Sequence, residues 1–435
     1  MLTRRTMITT TAAAFAGLAA RRSNAAALPS PYGSLRPKTA DNADEVLLLL
    51  PPDFRYTIVA RARGVLDDGN PAPDRPDGMA AFQVGNELRL VRNHEVKDPV
   101  TLPLSPGPWS YDPQAGGGTT TLIVDPVTRL PLRQFVSLSG TSSNCAGGPT
   151  PWGSWISCEE TTGTFTKPHG YCFEVPASAN SAVNAVPLPH LGRFVHEAAA
   201  VDPVTSIVYL TEDQEQAGLY RCVLNERFVL ASGGRLQMLA IRDAPAFDAS
   251  RGQTLGAKLP VTWVDVADPE RAVFQQGRAR GGTRFRRLEG AWFGNGSLFF
   301  TSTTGGERGI GQVWQYRPVS VRKRRAVGEA SSFAGELTLI FESPSSELAR
   351  MPDNLSLTPR GSLILCEDGD GGMTFLRGLT PRGDIFPFAQ NIAPSFAGSE
   401  FAGAVFSPDG QTLFVNLQIA GVTVAIWGPW SRGPL

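Results

Sequence analysis

The sequence predicts an all-β chain folded as a six-bladed β-propeller. Three observations predict it: a short phrase that returns six times, a lack of long helical periodicity, and an abundance of turn formers. The clearest copies are Thr358-Pro-Arg-Gly-Ser-Leu-Ile-Leu-Cys366-Glu367-Asp368 and Thr150-Pro-Trp-Gly-Ser-Trp-Ile-Ser-Cys158-Glu159-Glu160. Weaker copies run from Asp202 to Asp213 and from Ser407 to Asn416, and the loosest from Phe293 to Ser302 and from Phe82 to Glu95. Each reads as strand, tight turn, strand. Successive turns lie roughly 50 to 90 positions apart, too far for a solenoid coil but suited to four-stranded blades with variable loops. No long stretch keeps a 3.6-residue apolar period, so the helical crossovers that a parallel sheet needs are missing. The 46 glycines and 35 prolines fit many turns. A pair of two-layered sandwiches is the competing arrangement.

The repeat also places chemistry. Counting back eight positions from Gly85, Gly153, Thr205 and Gly361 gives Asp77, Cys145, Glu197 and Asp353. Counting back seven from Gly296 gives Glu289, whereas the sixth copy has Ala402 there with Glu400 two residues earlier. Hairpins that set oxygen or sulfur donors at equivalent points predict metal ligands lining a central channel.

The N-terminal segment reads as an address, not as fold. Thr3-Arg4-Arg5-Thr6-Met7 precedes a mostly apolar stretch, Ile8 to Ala20, too short to span a bilayer, and Ala25-Ala26-Ala27 offers a cleavage site. The adjacent arginines resemble a twin-arginine export signal, with an ordinary secretory signal as the alternative. Residues 1–27 are therefore expected to be removed, and residues 28–435 to form a single propeller domain. The expected location is periplasmic or extracellular, with the twin-arginine machinery as an export partner and no stable membrane insertion. The mature protein is expected to be a monomer. Formal net charge is zero, which gives no sign of nucleic-acid binding. The basic run Val321 to Arg325 reads as a solvated loop.

Five cysteines, Cys145, Cys158, Cys172, Cys222 and Cys366, make an odd number, so at least one stays unpaired in an oxidising compartment. Cys145 is the natural one, since it holds a ligand position and would be a soft donor there. Cys158 and Cys366 occupy matching places and read as small core residues. His94, His169, His190 and His196 form no i, i+4 pair, so a histidine-rich zinc centre is not expected. Asp368-Gly-Asp370-Gly-Gly lacks the later residues of a calcium-binding EF-hand loop. Neither a phosphate-binding P-loop nor a Gly-x-Ser-x-Gly elbow occurs.

Taken in order, Asn93-His94-Glu95, Ser143-Asn144-Cys145-Ala-Gly-Gly, Cys158-Glu159-Glu160, Gly192-Arg-Phe-Val-His196-Glu197, Arg287-Leu288-Glu289-Gly290, Pro352-Asp353-Asn354 and Cys366-Glu367-Asp368 resemble the PhoX-type alkaline phosphatases. The resemblance runs from about residue 40 to the C-terminus. It implies a six-bladed propeller with an iron and calcium centre in its axial channel, hydrolysing phosphate monoesters. It implies iron on Cys145, Glu197 and Glu289, calcium on Asp353 and Glu367, and an arginine, Arg287, on the phosphate. Glu159 and Asp77 are further metal-ligand candidates.

The chemistry can also be argued from the residues. A phosphate ester dianion repels nucleophiles, and clustered cations offset that charge. Carboxylates from several blades can hold such ions close together. Arg287 can grip phosphate with a planar fork that lysine lacks. Asn93 is either a turn former or a phosphate contact. A secreted metal-dependent phosphatase working at alkaline pH is the leading expectation. The alternatives are another calcium-dependent propeller hydrolase, such as a lactonase or phosphotriesterase, and a non-catalytic binding propeller.

Overall fold

The computed structural model describes residues 29–97, 104, 107–319, 334–369 and 372–435. The expected export segment, residues 1–27, and the basic run at 321–325 lie outside the described residues. Strands dominate, and Val273–Ala279 is the one α-helix among the described residues. No helix there is long and apolar enough to cross a membrane.

The chain is an all-β, propeller-like ring of antiparallel sheets. Pro76–Val84, Glu87–His94, Gly117–Val124 and Pro131–Thr141 form a four-stranded sheet. Asn144–Pro149, Ser154–Glu159 and Cys172–Pro176 form a three-stranded one. Pro352–Leu357 begins a sheet that runs out through Ile385–Asn391 to Leu48–Leu50 and Arg36–Lys38. The last sheet, starting at Phe401–Phe406, takes its outer strand from the other end of the chain: Val424 faces Ile58 and Ala425 faces Thr57. This pairing closes the ring. The remaining sheet has nine strands, with His196–Val201 at one end and Leu288–Gly294 at the other. Separate four-stranded blades were expected here. Instead Lys258–Asp265 pairs with Gly335–Glu342, Leu259 opposite Leu337, so two outer edges satisfy each other's backbone groups.

The innermost strands Pro76–Val84, Asn144–Pro149, His196–Val201, Leu288–Gly294, Pro352–Leu357 and Phe401–Phe406 each touch the next, and the last touches the first. All of them carry a register shift near the same place, one residue later in Phe401–Phe406 than in the other five. Pro76 faces His94 but Met79 faces Arg92; Asn144 faces Glu159 but Gly147 faces Ser157; the other four repeat the step. One extra residue in each inner strand makes a bulge, and a bulge re-aims a side chain. The re-aimed residues include Asp77, Cys145, Glu197, Glu289 and Asp353.

Close approach of the inner strands dictates small residues beside the ligands. A Cβ on Gly78 would lie 2.6 Å from Ala146 Cα, and one on Gly290 2.7 Å from Asn354 Cα. Between the sheets lie apolar clusters, such as that of Leu50, Phe54, Ile364, Phe388, Val415 and Trp430. Each large side chain buried there contributes roughly 1.5–3 kcal/mol.

Candidate metal centre

The ring positions converge as the repeat predicts. Glu197, Glu289 and Asp353 offer ligand atoms within 4.8 Å of one another, and so do Asp77, Glu95 and Glu400, and Glu95, Cys145 and Glu160. Glu160, Asp213 and Glu289 form a further group. Glu400 supplies the carboxylate that Ala402 cannot.

A second ring stands beside the first. In every repeat the residue just past the second strand donates its N–H to the carbonyl two residues before the bulge position. Glu95 bonds Arg75, Glu160 bonds Ser143, Asp213 bonds Val195, Thr303 bonds Arg287, Asp368 bonds Met351 and Gln418 bonds Glu400, at 2.9–3.2 Å. That link pins Glu95, Glu160, Asp213 and Asp368 next to the first ring. Gln418 Nε2 donates to Asp77 at 2.7 Å and to Glu95 at 2.9 Å.

The clustered acids are under-compensated. Asp77, Glu95, Glu160, Glu197, Asp213, Glu289, Asp353, Asp368 and Glu400 gather with Cys145, and among the described residues Arg287 and Lys97 form ion pairs with them. Arg287 forks onto Asp213 at 2.9 and 3.2 Å, reaches Glu289 at 2.7 Å and lies 3.6 Å from Asp368. Lys97 lies 2.6 Å from Glu95 and 3.4 Å from Glu160. Burial, and then the charge of Glu95, pushes the Asp77 carboxyl up to about 8. Burial and neighbouring carboxylates raise Glu160, Glu197, Glu289, Asp353 and Glu400 well above the carboxylate range. Burial and then Asp77 raise the Cys145 thiol. Burial would lower Arg287, but Glu289 and Asp213 outweigh it and hold the guanidinium charged. Asp77 Oδ1 and Glu197 Oε2 are buried without a hydrogen-bond donor among the described residues. Buried acids in this number need either protons or multivalent cations. The donor set, mostly carboxylate oxygen with one sulfur, fits cations of mixed hardness.

Among the sequence-predicted residues, Asp77, Cys145, Glu197, Glu289, Asp353 and Arg287 are brought together. Glu159 and Glu367 are not part of the cluster. Glu159 is fully buried and accepts from His169 and from the N–H groups of Ser142, Gly170 and Tyr171. Glu367 is held by Arg377 at 2.8 Å and by the N–H groups of Arg350 and Phe375. Both are the last residues of their strands, and successive strand residues point to opposite sides, so Glu160 and Asp368 face the channel instead.

Asn93 does not face the cluster either. Its amide donates to the carbonyls of Cys145 and Ala146, and its oxygen accepts from Trp155 and Ser157. The same clip recurs: Thr211 donates to Glu289 O, Thr301 to Asp353 O, and Asn416 to Asp77 O. Each clip joins one inner bulge to the preceding repeat. Sequence reasoning missed Glu95, Asp213 and Lys97 in the site. Glu95 and Asp213 end two of the repeated phrases, so the signal was there to find.

The family model for alkaline phosphatase PhoX matches residues 31–421. Among solved structures, the Pseudomonas fluorescens PhoX in complex with vanadate, a transition state analogue, superposes with a TM-score of 0.66 at 18% identity, covering 94% of this chain and 99% of that one. A gluconolactonase from Xanthomonas campestris gives a TM-score of 0.44 at 12% identity, covering 94% of this chain and 99% of that chain. No curated protein matches.

Proposed function

The chain belongs to the PhoX alkaline phosphatase family, and on that premise we propose that it is an exported, metal-dependent phosphatase that hydrolyses phosphate monoesters at alkaline pH. The observation that carries the reading is the buried ring of acids with Arg287 bonded into it. We read the sheets as six blades, with the nine-stranded sheet as two blades joined at their outer edges. Because all proposed ligands come from one chain, a monomer suffices. The Thr3-Arg4-Arg5 start supports twin-arginine export to the periplasm or beyond.

We assign iron to Cys145, Glu197 and Glu289, where the thiol sits nearest the soft end of the donor set. We assign calcium to Asp353, Asp77 and the second-ring carboxylates, with Glu160 and Asp368 in place of Glu159 and Glu367. When bound, such ions supply positive charge against the ester's oxygens and lower the pKa of water. The chain's own residues do the rest. Asp213 and Glu289 hold the Arg287 fork flat, with Nη1, 3.6 Å from Asp368, the least engaged nitrogen. Arg287 Nη1 is thereby the guanidinium nitrogen placed to donate to a phosphate oxygen, and cations held by the surrounding carboxylates would supply the remaining positive charge. Gln418 donates to both Asp77 and Glu95 and ties them together, and Asn354 bridges Glu197 and Asp353 at 3.4 and 2.9 Å. Asn93 acts as a positioning residue, fixing the Cys145 bulge rather than touching phosphate. Alkaline pH favours the reaction because ligands bind cations only when deprotonated.

The test compares an aryl phosphate monoester with a lactone on the same ion-loaded sample. Release of phosphate without lactone turnover is the expected result. Lactone turnover without phosphate release would overturn the assignment in favour of an oxygen-ligand calcium hydrolase.

A further inference from the structure

We propose that Cys158, Cys172 and His196 form a second metal site, separate from the acidic ring and built for zinc. Cys158 and Cys172 are direct partners on adjacent strands. The Glu159 N–H bonds the Tyr171 carbonyl, so the next pair along, Cys158 and Cys172, is the non-hydrogen-bonded kind in which side chains stand closest. Their sulfurs lie 3.5 Å apart, and Cys172 Sγ lies 3.5 Å from His196 Nδ1. His196 Nε2 is 2.9 Å from the Gly192 carbonyl, which can only accept, so Nε2 carries the hydrogen and Nδ1 offers a bare lone pair. Metal-bound histidines are oriented by this kind of outer hydrogen bond. Phe194 stacks on the imidazole at 3.6 Å between ring centres and fixes its plane.

The spacing suits one ion. With bonds of about 2.3 Å to sulfur and about 2.0 Å to nitrogen, the sulfur–sulfur and sulfur–nitrogen separations subtend roughly 100° and 110° at the metal, near the tetrahedral value. The charge suits a divalent ion. Two thiolates and a neutral imidazole cancel a dication, so the ion adds no net charge among the packed apolar Ile156, Leu210 and Met238, with the buried Glu159 and Glu212 carboxylates close by. All three donors are fully buried. The ion therefore enters as the chain folds and exchanges slowly afterwards. The site belongs to the second and third repeats and braces the strand that carries Glu197, and it does not depend on the phosphatase assignment.

The test is made on full-length protein produced with supplementary zinc and desalted without chelator. An organomercurial is titrated in the presence of a chromogenic zinc indicator. The expected result is release of one equivalent of zinc per chain in step with thiol blocking. Cys172→Val, which suits the neighbouring Ile156, Leu210 and Met238, should release none while keeping whatever other metals the unmodified protein holds. Zinc-edge X-ray absorption on the unmodified protein removes any dependence on the variant folding, and should show two sulfurs near 2.3 Å. The proposal is overturned by unchanged zinc release in Cys172→Val, by a zinc shell of oxygen and nitrogen alone, by five free thiols with no bound zinc, or by a Cys158–Cys172 disulfide in the mass spectrum.

Discussion

Stripping the ions should make stability fall as pH rises, the reverse of ordinary acid denaturation. Asp77 shows why. Its carboxyl moves from 3.8 up to about 8 on folding, because of burial and then Glu95. Between those values the folded protein keeps a proton that the unfolded chain has released. More protons bound to the native state means a negative slope of stability against pH, roughly 1.4 kcal/mol per pH unit for one group. The benefit is fully present below the unfolded value and is lost as pH climbs through the folded one. Glu197, Glu289 and Asp353 are raised in the same direction, though coupled acids release protons as a set. One to two net protons give about 1.4 to 2.8 kcal/mol per unit. Unfolding entropy for 435 residues is about 0.9 kcal/mol per kelvin, so the midpoint should drop about 1.5 to 3 °C per pH unit. Thermal melts from pH 5 to pH 8, with and without chelator at one scan rate, read this out. The ion-loaded protein should be flat or gain stability over the same range, since deprotonated ligands hold cations more tightly. A chelated sample with proven metal loss whose midpoint stays level or rises with pH would show that these acids do not hold protons in the folded state.

Arg287→Lys keeps the charge and loses the planar fork, so phosphate release should fall about 10- to 1000-fold, the equivalent of about 1.4 to 4 kcal/mol, with metal content intact. Asn93→Ala removes the clip on Cys145 and leaves the Trp155 indole and two carbonyls without their partner; denaturant melts should show a loss of about 2–4 kcal/mol. Gly290→Ala puts a Cβ 2.7 Å from Asn354 Cα and the Asp353 carbonyl, so metal content should drop and stability fall by about 1–3 kcal/mol.

Much of this site could be read from the repeat. A hairpin phrase with a fixed turn gives a fixed count back to the inner strand, and that count found Asp77, Cys145, Glu197, Glu289 and Asp353. It worked because the five inner strands that carry these residues bulge at the same step, so an error in one copy would stand out against the others. The second ring was harder. Its members sit one residue beyond the strand end, where alternation stops being a guide. From the sequence Glu159 and Glu367 therefore read as ligands, whereas the structure turns Glu160 and Asp368 toward the cluster. Asn93 looked like a phosphate contact because a clip to a neighbouring repeat has no local signal; its partners Cys145 and Trp155 lie far along the chain. The joining of Lys258–Asp265 to Gly335–Glu342 was equally hidden, since edge pairing depends on how blades splay and not on their sequences.

The central claim is that cations held by the acidic ring enable phosphate ester hydrolysis. Metal content and phosphate release at alkaline pH, measured side by side for the unmodified protein and for Glu289→Gln, test it most directly. The unmodified protein should lose its rate on chelation and regain it with calcium. Glu289→Gln should fold but lose both metal and turnover. Full turnover in metal-free protein, or a Glu289→Gln variant that retains its metals and its rate, would contradict it.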